Sequence, residues 1–200
     1  MKLIGITGKV VDINGNDVCI TNSGKSVSAG ELEQNLKAMG CKVKIKSLAS
    51  SLVNIACKST GLPSEYFTSQ EFKNSPMDEL SGKAPRSILI NIGEELRAKY
   101  GNDVLFKILM SENEIFDGYI IVPDVRTQEE ADFARVIGRL YYVHRYIHST
   151  GNEFLRGLGF DSLDKATETP VANVVGDINV SLDVLGEVIN IKYERVHLVA

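Results

Sequence analysis

The chain has 200 residues, 44% of them hydrophobic and 24% charged, with a formal net charge of −4 and a pI near 5.5. This composition suits one large globular domain with its own core and excludes a disordered chain. The acidic balance argues against a nucleic-acid binder, and the longest apolar stretches are too short to span a bilayer. Met1-Lys2 leads straight into an apolar run rather than a signal peptide. The three cysteines, Cys19, Cys41 and Cys57, lack C-x-x-C spacing and read as reduced thiols. A cytoplasmic protein without membrane or nucleic-acid partners is therefore expected.

Leu3-Ile4-Gly5-Ile6-Thr7 is a continuous apolar run, as expected of a strand buried on both faces of a parallel sheet. Residues 10–21 form two β-rich stretches around Asn14-Gly15, the strongest short-range hairpin signal; residues 10–13 should pair with 18–21 and project from the sheet's carboxyl edge. Leu32, Leu36 and Met39 recur at helical spacing before Gly40. Residues 42–47 alternate Val43 and Ile45 with lysines, predicting a half-exposed strand. Residues 48–61 read as a helix stopped by Gly61. The polar stretch 62–84 is a connection with short helical turns. A helix starts at Pro85 and ends near Gly101, and a shorter one spans 104–110. Residues 119–122 predict a buried strand, Thr127-Gln128-Glu129-Glu130 a capping box opening a helix through Ile137, and 140–143 the next strand. Residues 145–168 are less regular. A last strand is expected at 171–175 and a closing helix from about Ser181 to Glu194. Strands alternating with helices indicate an α/β fold, a three-layer arrangement of five parallel strands covered on both faces.

Within this pattern Gly24-Lys25-Ser26 stands after a β-rich stretch and before a helix, where the motif G-x-x-x-x-G-K-[ST] closes a phosphate loop. In that motif backbone N–H groups wrap the phosphates, the lysine reaches the β/γ oxygens and the hydroxyl ligates Mg²⁺. The motif's first glycine would fall at Cys19. Gly8 is the best substitute, so the loop reads as split by the inserted hairpin. Asp124, at the carboxyl end of a buried strand, stands where such proteins place an acidic group near Mg²⁺, although a strand-end turn also favours aspartate. Arg126 follows at the same rim. Arg86 opens a helix, and Arg135, Arg139 and Arg145 lie nearby in sequence. Each could fork onto a phosphate or serve a surface ion pair. His144 and His148 have helix-like spacing without a metal-binding pattern, so no metal site is expected there.

In their order these pieces resemble the deoxynucleoside monophosphate kinases of tailed bacteriophages, over nearly the whole length. The residues that carry the resemblance are Leu3 to Gly8 with Ser23-Gly24-Lys25-Ser26, then Ser47-Leu48-Ala49, Gly61-Leu62-Pro63 and Phe67. Lys73, Pro76, Pro85-Arg86 and Ile92-Gly93-Glu94-Glu95-Leu96 follow. Asp124-Val125-Arg126, Glu129-Glu130-Ala131 and Gly138 form the most specific stretch, and Asn173 and the expected helix over Leu182 to Leu185 resemble the family's C-terminal end.

The resemblance implies a phosphate-loop kinase fold over residues 1–200, its first strand lying between the third and fourth. It implies transfer of the γ-phosphoryl of ATP to a deoxynucleoside monophosphate, with Mg²⁺. Gly8, Gly24, Lys25 and Ser26 would bind ATP, with Ser26 and Asp124 toward the metal. Arg86 and Arg126 would bind the acceptor, and Arg145 would be a lid arginine in residues 145–168. Lys25, Asp124 and Arg126 would carry catalysis, and a homodimer is compatible with this reading. Three departures stand out: the inserted hairpin, Ser50-Ser51-Leu52-Val53 without the family's acidic and lysine residues, and Leu105 in place of tryptophan. They leave a second reading, a catalytically silent homologue that binds nucleotide or acts as a scaffold.

Overall fold

The computed structural model describes residues 1–19, 23–69, 71–151 and 153, and the backbone of two further strands at 178–182 and 188–193. In chain order the elements are β1 (Lys2–Val11), β2 (Asp17–Cys19), α1 (Lys25–Ala38), β3 (Val43–Ile45), α2 (Leu48–Thr60), α3 (Glu65–Thr68), a 3-10 turn (Asp78–Leu80), α4 (Pro85–Tyr100), α5 (Val104–Glu112), β4 (Tyr119–Val122), α6 (Gln128–Ile137), β5 (Gly138–Tyr146), β6 (Ile178–Leu182) and β7 (Val188–Tyr193). The chain forms two compact units, Met1–Ile45 with Ile115–Ala200, and Lys46–Glu114. Among the described residues no helix is long and apolar enough to cross a membrane.

The first unit is an α/β layer structure around one sheet, ordered β3-β4-β1-β5-β6-β7. β3, β4, β1, β5 and β6 are mutually parallel, while β7 runs antiparallel to β6 and β2 antiparallel to the end of β1. The first strand thus lies between the expected third and fourth strands. β1 is buried along nearly its whole length because both of its faces are covered. On one face Ile4 and Ile6 pack with Ala29 of α1, Ile121 and Val143, and Leu32 and Leu36 extend this layer. On the other face Gly5 admits α6, since a Cβ there would lie 2.8 Å from the Ala134 Cβ. Each fully buried aliphatic side chain in these layers contributes on the order of 1.5–3 kcal/mol.

α6 begins where its sequence directs. The Thr127 hydroxyl accepts from the Glu130 N–H at 3.1 Å, and the Glu130 carboxylate returns the bond to the Thr127 N–H at 3.3 Å. The second unit is helical. α2 starts at Ser47, whose hydroxyl accepts from the Ala49 N–H at 3.1 Å, and stops at Gly61 with φ 75°. Its buried Val53 and Ala56 pack with Phe67, against Leu62, Ile88, Leu89 and Ile92. α5 buries Leu105, Phe106 and Leu109, and the connection before α4 carries the short turns expected of it.

The C-terminal expectation needs correction. In place of a helix from Ser181 to Glu194 the backbone forms β6 and β7, paired antiparallel from Ile178↔Tyr193 to Leu182↔Val188. Leu182, Leu185, Val188 and Ile189 fit a helical period. However, Ile178, Val180 and Leu182 also alternate with polar residues, as do Ile189, Ile191 and Tyr193, and that period of two belongs to a strand. β6 supplies the fifth parallel strand. The strand expected at 171–175, and Asn173, lie outside the described residues.

Candidate functional site

The site is shaped by strands of unequal length. β4 ends at Val122, the partner of Gly5, whereas β1 and β5 stay paired from Leu3↔Gly138 to Val11↔Tyr146. At about 3.3 Å per residue the pair overruns β4 by roughly 20 Å. On the β4 side β1 next meets a strand only at Val10 and Val11, which pair with Cys19 and Asp17 of β2. Between these two pairings Thr7, Gly8 and Lys9 have no strand partner on that side among the described residues, and Thr7 and Gly8 are buried. Lys2 donates its N–H to Gly118 on that side, and Ile6 accepts there from the Val125 N–H at 3.3 Å. By strand alternation the backbone groups of Gly8 turn the same way.

The hairpin follows from this extension. Its first limb is the end of β1, held in the sheet by β5, and does not project from the sheet's edge as expected. The turn is closed by Asp12, whose carboxylate accepts from the N–H groups of Asn14 at 2.9 Å and Asn16 at 2.8 Å, with Gly15 at φ 80°. The expected partners Ile20 and Thr21 lie outside the described residues.

Gly8 accordingly is not the opening turn of a phosphate loop. It lies inside β1 opposite Val143, because Val10 and Val11 continue the apolar alternation and β5 is long enough to pair with them. It nevertheless touches the motif: a Cβ on Gly8 would stand 3.2 Å from the Ser23 hydroxyl. Ser23 is fully buried, and its Oγ accepts from Lys25 Nζ at 3.0 Å. Gly24, with φ 89°, is the N-cap of α1 and accepts from the Ser28 N–H at 3.0 Å. Lys25 is half-buried in the first turn, and Ser26 beside it is exposed.

Asp124-Val125-Arg126 forms the turn from β4 into α6. The fully buried Val125 anchors it through the bond to Ile6, which brings the turn alongside β1 just before Thr7. Asp124 is half-buried and Arg126 exposed, and the Arg126 N–H donates to Glu130 Oε2 at 2.8 Å. Glu130 is fully buried, so the capping box also sets the backbone of Arg126.

Arg145 is not in an irregular stretch. It is a β5 residue paired with Val10 and Leu182, because the strand runs on to Tyr146. His144 is likewise a strand residue, its ring 4.6 Å from that of Tyr142. Burial pushes the Tyr142 hydroxyl up to about 12, and the Asp17 carboxylate adds to this. Lys9 Nζ pairs with Asp17 at 2.7 Å.

Arg86 belongs to the second unit. It is the second residue of α4, and its N–H donates to the Lys73 carbonyl at 2.8 Å. Partial burial, and then the neighbouring Arg86 charge, lower the Lys73 ammonium. The part played by Ser23 was hidden in the sequence, since its burial depends on Gly8. Thr7 Oγ1 and Ser28 Oγ are buried without a hydrogen-bond partner, one in β1 and one in α1.

Chemically, the arrangement offers a lysine and a hydroxyl at a helix N-terminus, which favours anions, and a carboxylate with an arginine on the turn after β4. Among the described residues no three or more His, Cys, Asp or Glu groups come together to hold a metal ion. Mg²⁺ needs only one or two protein oxygens when substrate phosphates and water complete its shell. The Ser26 hydroxyl and Asp124 carboxylate are hard oxygen donors of that kind. No family model matches the chain, and no curated protein matches it.

Proposed function

We propose that the protein is a phosphotransferase that moves the γ-phosphoryl of ATP to a deoxynucleoside monophosphate. The observation that carries this reading is Lys25 in the first turn of α1, tied to a serine packed on Gly8 of β1, the strand to which the Asp124-Val125-Arg126 turn is bonded two residues earlier at Ile6. The strand order, with β1 between β4 and β5, supports it as well. In open parallel sheets ligands bind outside the carboxyl ends of the strands.

Lys25 would bind the phosphate oxygens on which charge develops, and the N-terminus of α1 would orient them. Ser26 and Asp124 would hold Mg²⁺, which when bound neutralises phosphate charge. Arg126 would fork onto the acceptor phosphate, since a guanidinium matches two oxygens at once. Arg145, on β5, is a further acceptor-side candidate, whereas Arg86 belongs to the second unit. The transfer itself needs little proton chemistry from the protein; positioning and charge carry it.

One observation favours a silent homologue that binds nucleotide or serves as a scaffold. Gly8 is a strand residue, and residues 9–22 separate it from Ser23, so it cannot give the backbone the close approach of an unbroken phosphate loop. A coupled assay of ATP consumption against a panel of deoxynucleoside monophosphates separates the two. Acceptor-dependent turnover supports the kinase. Nucleotide binding without turnover on any acceptor supports the silent homologue.

A further inference from the structure

We infer that Ser23 is a positioning residue for Lys25 and that Gly8 is its seat. The inference rests on the phosphotransfer reading for its meaning but not for its test. Lys25 carries its ammonium on a long flexible stem, and a lysine in the first turn of a helix has no intrinsic orientation. The Ser23 hydroxyl gives it one: it is fully buried, so its place is set by packing, and it accepts from Nζ at 3.0 Å. That packing depends on the missing side chain at residue 8. A Cβ there would collide with the Val143 carbonyl oxygen, approach the Val143 Cβ to 2.9 Å and stand 3.2 Å from Ser23 Oγ.

A line of contact thus runs from β5 through Gly8 and Ser23 to the ammonium. The glycine displaced from the loop by the hairpin would in this way still serve the lysine.

The test reads Lys25 directly, without nucleotide. In ¹⁵N-labelled protein the Lys25 Nζ resonance, assigned by its loss in Lys25→Arg, should show slowed proton exchange and a shift away from the exposed lysines. Ser23→Ala should displace it and speed its proton exchange, and Gly8→Ala should displace it as well. If Ser23→Ala does not fold, Ser23→Cys keeps the volume, replaces the oxygen by a weak acceptor and carries the same expectation. In the kinase assay Ser23→Ala should lower kcat by about tenfold, the size of one charge-assisted hydrogen bond, with a smaller change in KM. It should have no further effect in a Lys25→Ala background. An unchanged Lys25 resonance in Ser23→Ala, or equal effects with and without Lys25, overturns the inference. A displaced resonance in a protein with no turnover on any acceptor upholds the Ser23–Lys25 tie and defeats the kinase reading instead.

Discussion

Gly8 faces Val143 across the β1–β5 ladder with no room between them for a side chain. Gly8→Ala should therefore force the two strands apart and cost about 1–3 kcal/mol, as overpacking of a close-packed interior does. Gly30 is the contrast, since it lies within α1 with nothing within 4 Å of an added Cβ. Gly30→Ala should stabilise by about 0.5–1 kcal/mol through the lower conformational entropy of the unfolded chain. Denaturant midpoints at constant m-value check both.

Lys25 and Arg126 should fail differently. Lys25→Ala should lose most turnover without unfolding, because it removes a cation from developing phosphoryl charge at a cost of about 3–4 kcal/mol in the transition state. Arg126→Ala should raise the acceptor KM at least as much as it lowers kcat, since its fork clamps a phosphate. Steady-state kinetics with the acceptor varied distinguishes them. Ordinary turnover in Lys25→Ala would remove the α1 N-terminus from the mechanism.

The capping box links stability to the site. Thr127→Ala should cost about 0.5–2 kcal/mol, the usual loss for an N-cap. Glu130→Ala should cost about 1–3 kcal/mol, because the N–H groups of Arg126 and Thr127 both lose their acceptor in a buried setting. Of the two, only Glu130→Ala should also raise the acceptor KM, since Glu130 holds the backbone of Arg126. Thermal melts beside acceptor titrations check this.

Asp12 predicts an acid-sensitive hairpin. The Asn16 N–H chiefly, with further bonds from Asn16, Gly151 and Asn14, holds its carboxyl below the ordinary value against the opposing effect of burial. A depressed carboxyl gives stability that is fully present above its unfolded value near 3.8 and lost as pH falls through the lower folded value. Protection of the Asn14, Asn16 and Gly151 amides, referred to the intrinsic exchange rate at each pH, should fall below pH 4 in the native protein. In Asp12→Asn that protection should be low already at neutral pH, with little further change on acidification.

Much of the fold was legible where local signals and tertiary context agree. Tyr119 to Val122 is a pure apolar run, Thr127 with Glu130 closes its own box, and Pro85 and Gly101 punctuate α4 at both ends. The extension of β1 beyond Thr7 was not legible. Gly8-Lys9 interrupts the apolar run, and only the pairing of Lys9 with His144 and Val10 with Arg145 keeps the strand going. The same long-range pairing moved Arg145 from loop to strand. At the C-terminus a period of two and a period near four overlapped on Leu182 and Ile189, and the sheet settled the choice. In the site, the motif was visible in Gly24-Lys25-Ser26, but the burial of Ser23 depends on a residue far earlier in the chain, and no local pattern encodes it.

Excising residues 10–21 to restore a short loop should unfold the first unit rather than free it, because Val10, Val11 and Val18 are buried and Val10 and Val11 pair with β5. A far-UV spectrum and a melt of the excised protein check this.

The overrun of β1 and β5 past β4 has a consequence for engineering. An added segment that keeps one limb in register with an existing strand becomes sheet, and only its bend remains outside. Ile13, Asn14, Gly15 and Asn16 at that bend are exposed, and space around Gly15 is open. A reporter peptide or fluorescent module spliced between Asn14 and Gly15 would be carried on a rigid stalk that begins at the Gly8–Ser23 contact. The molecule thus offers an attachment point at an exposed bend, outside the paired part of the sheet.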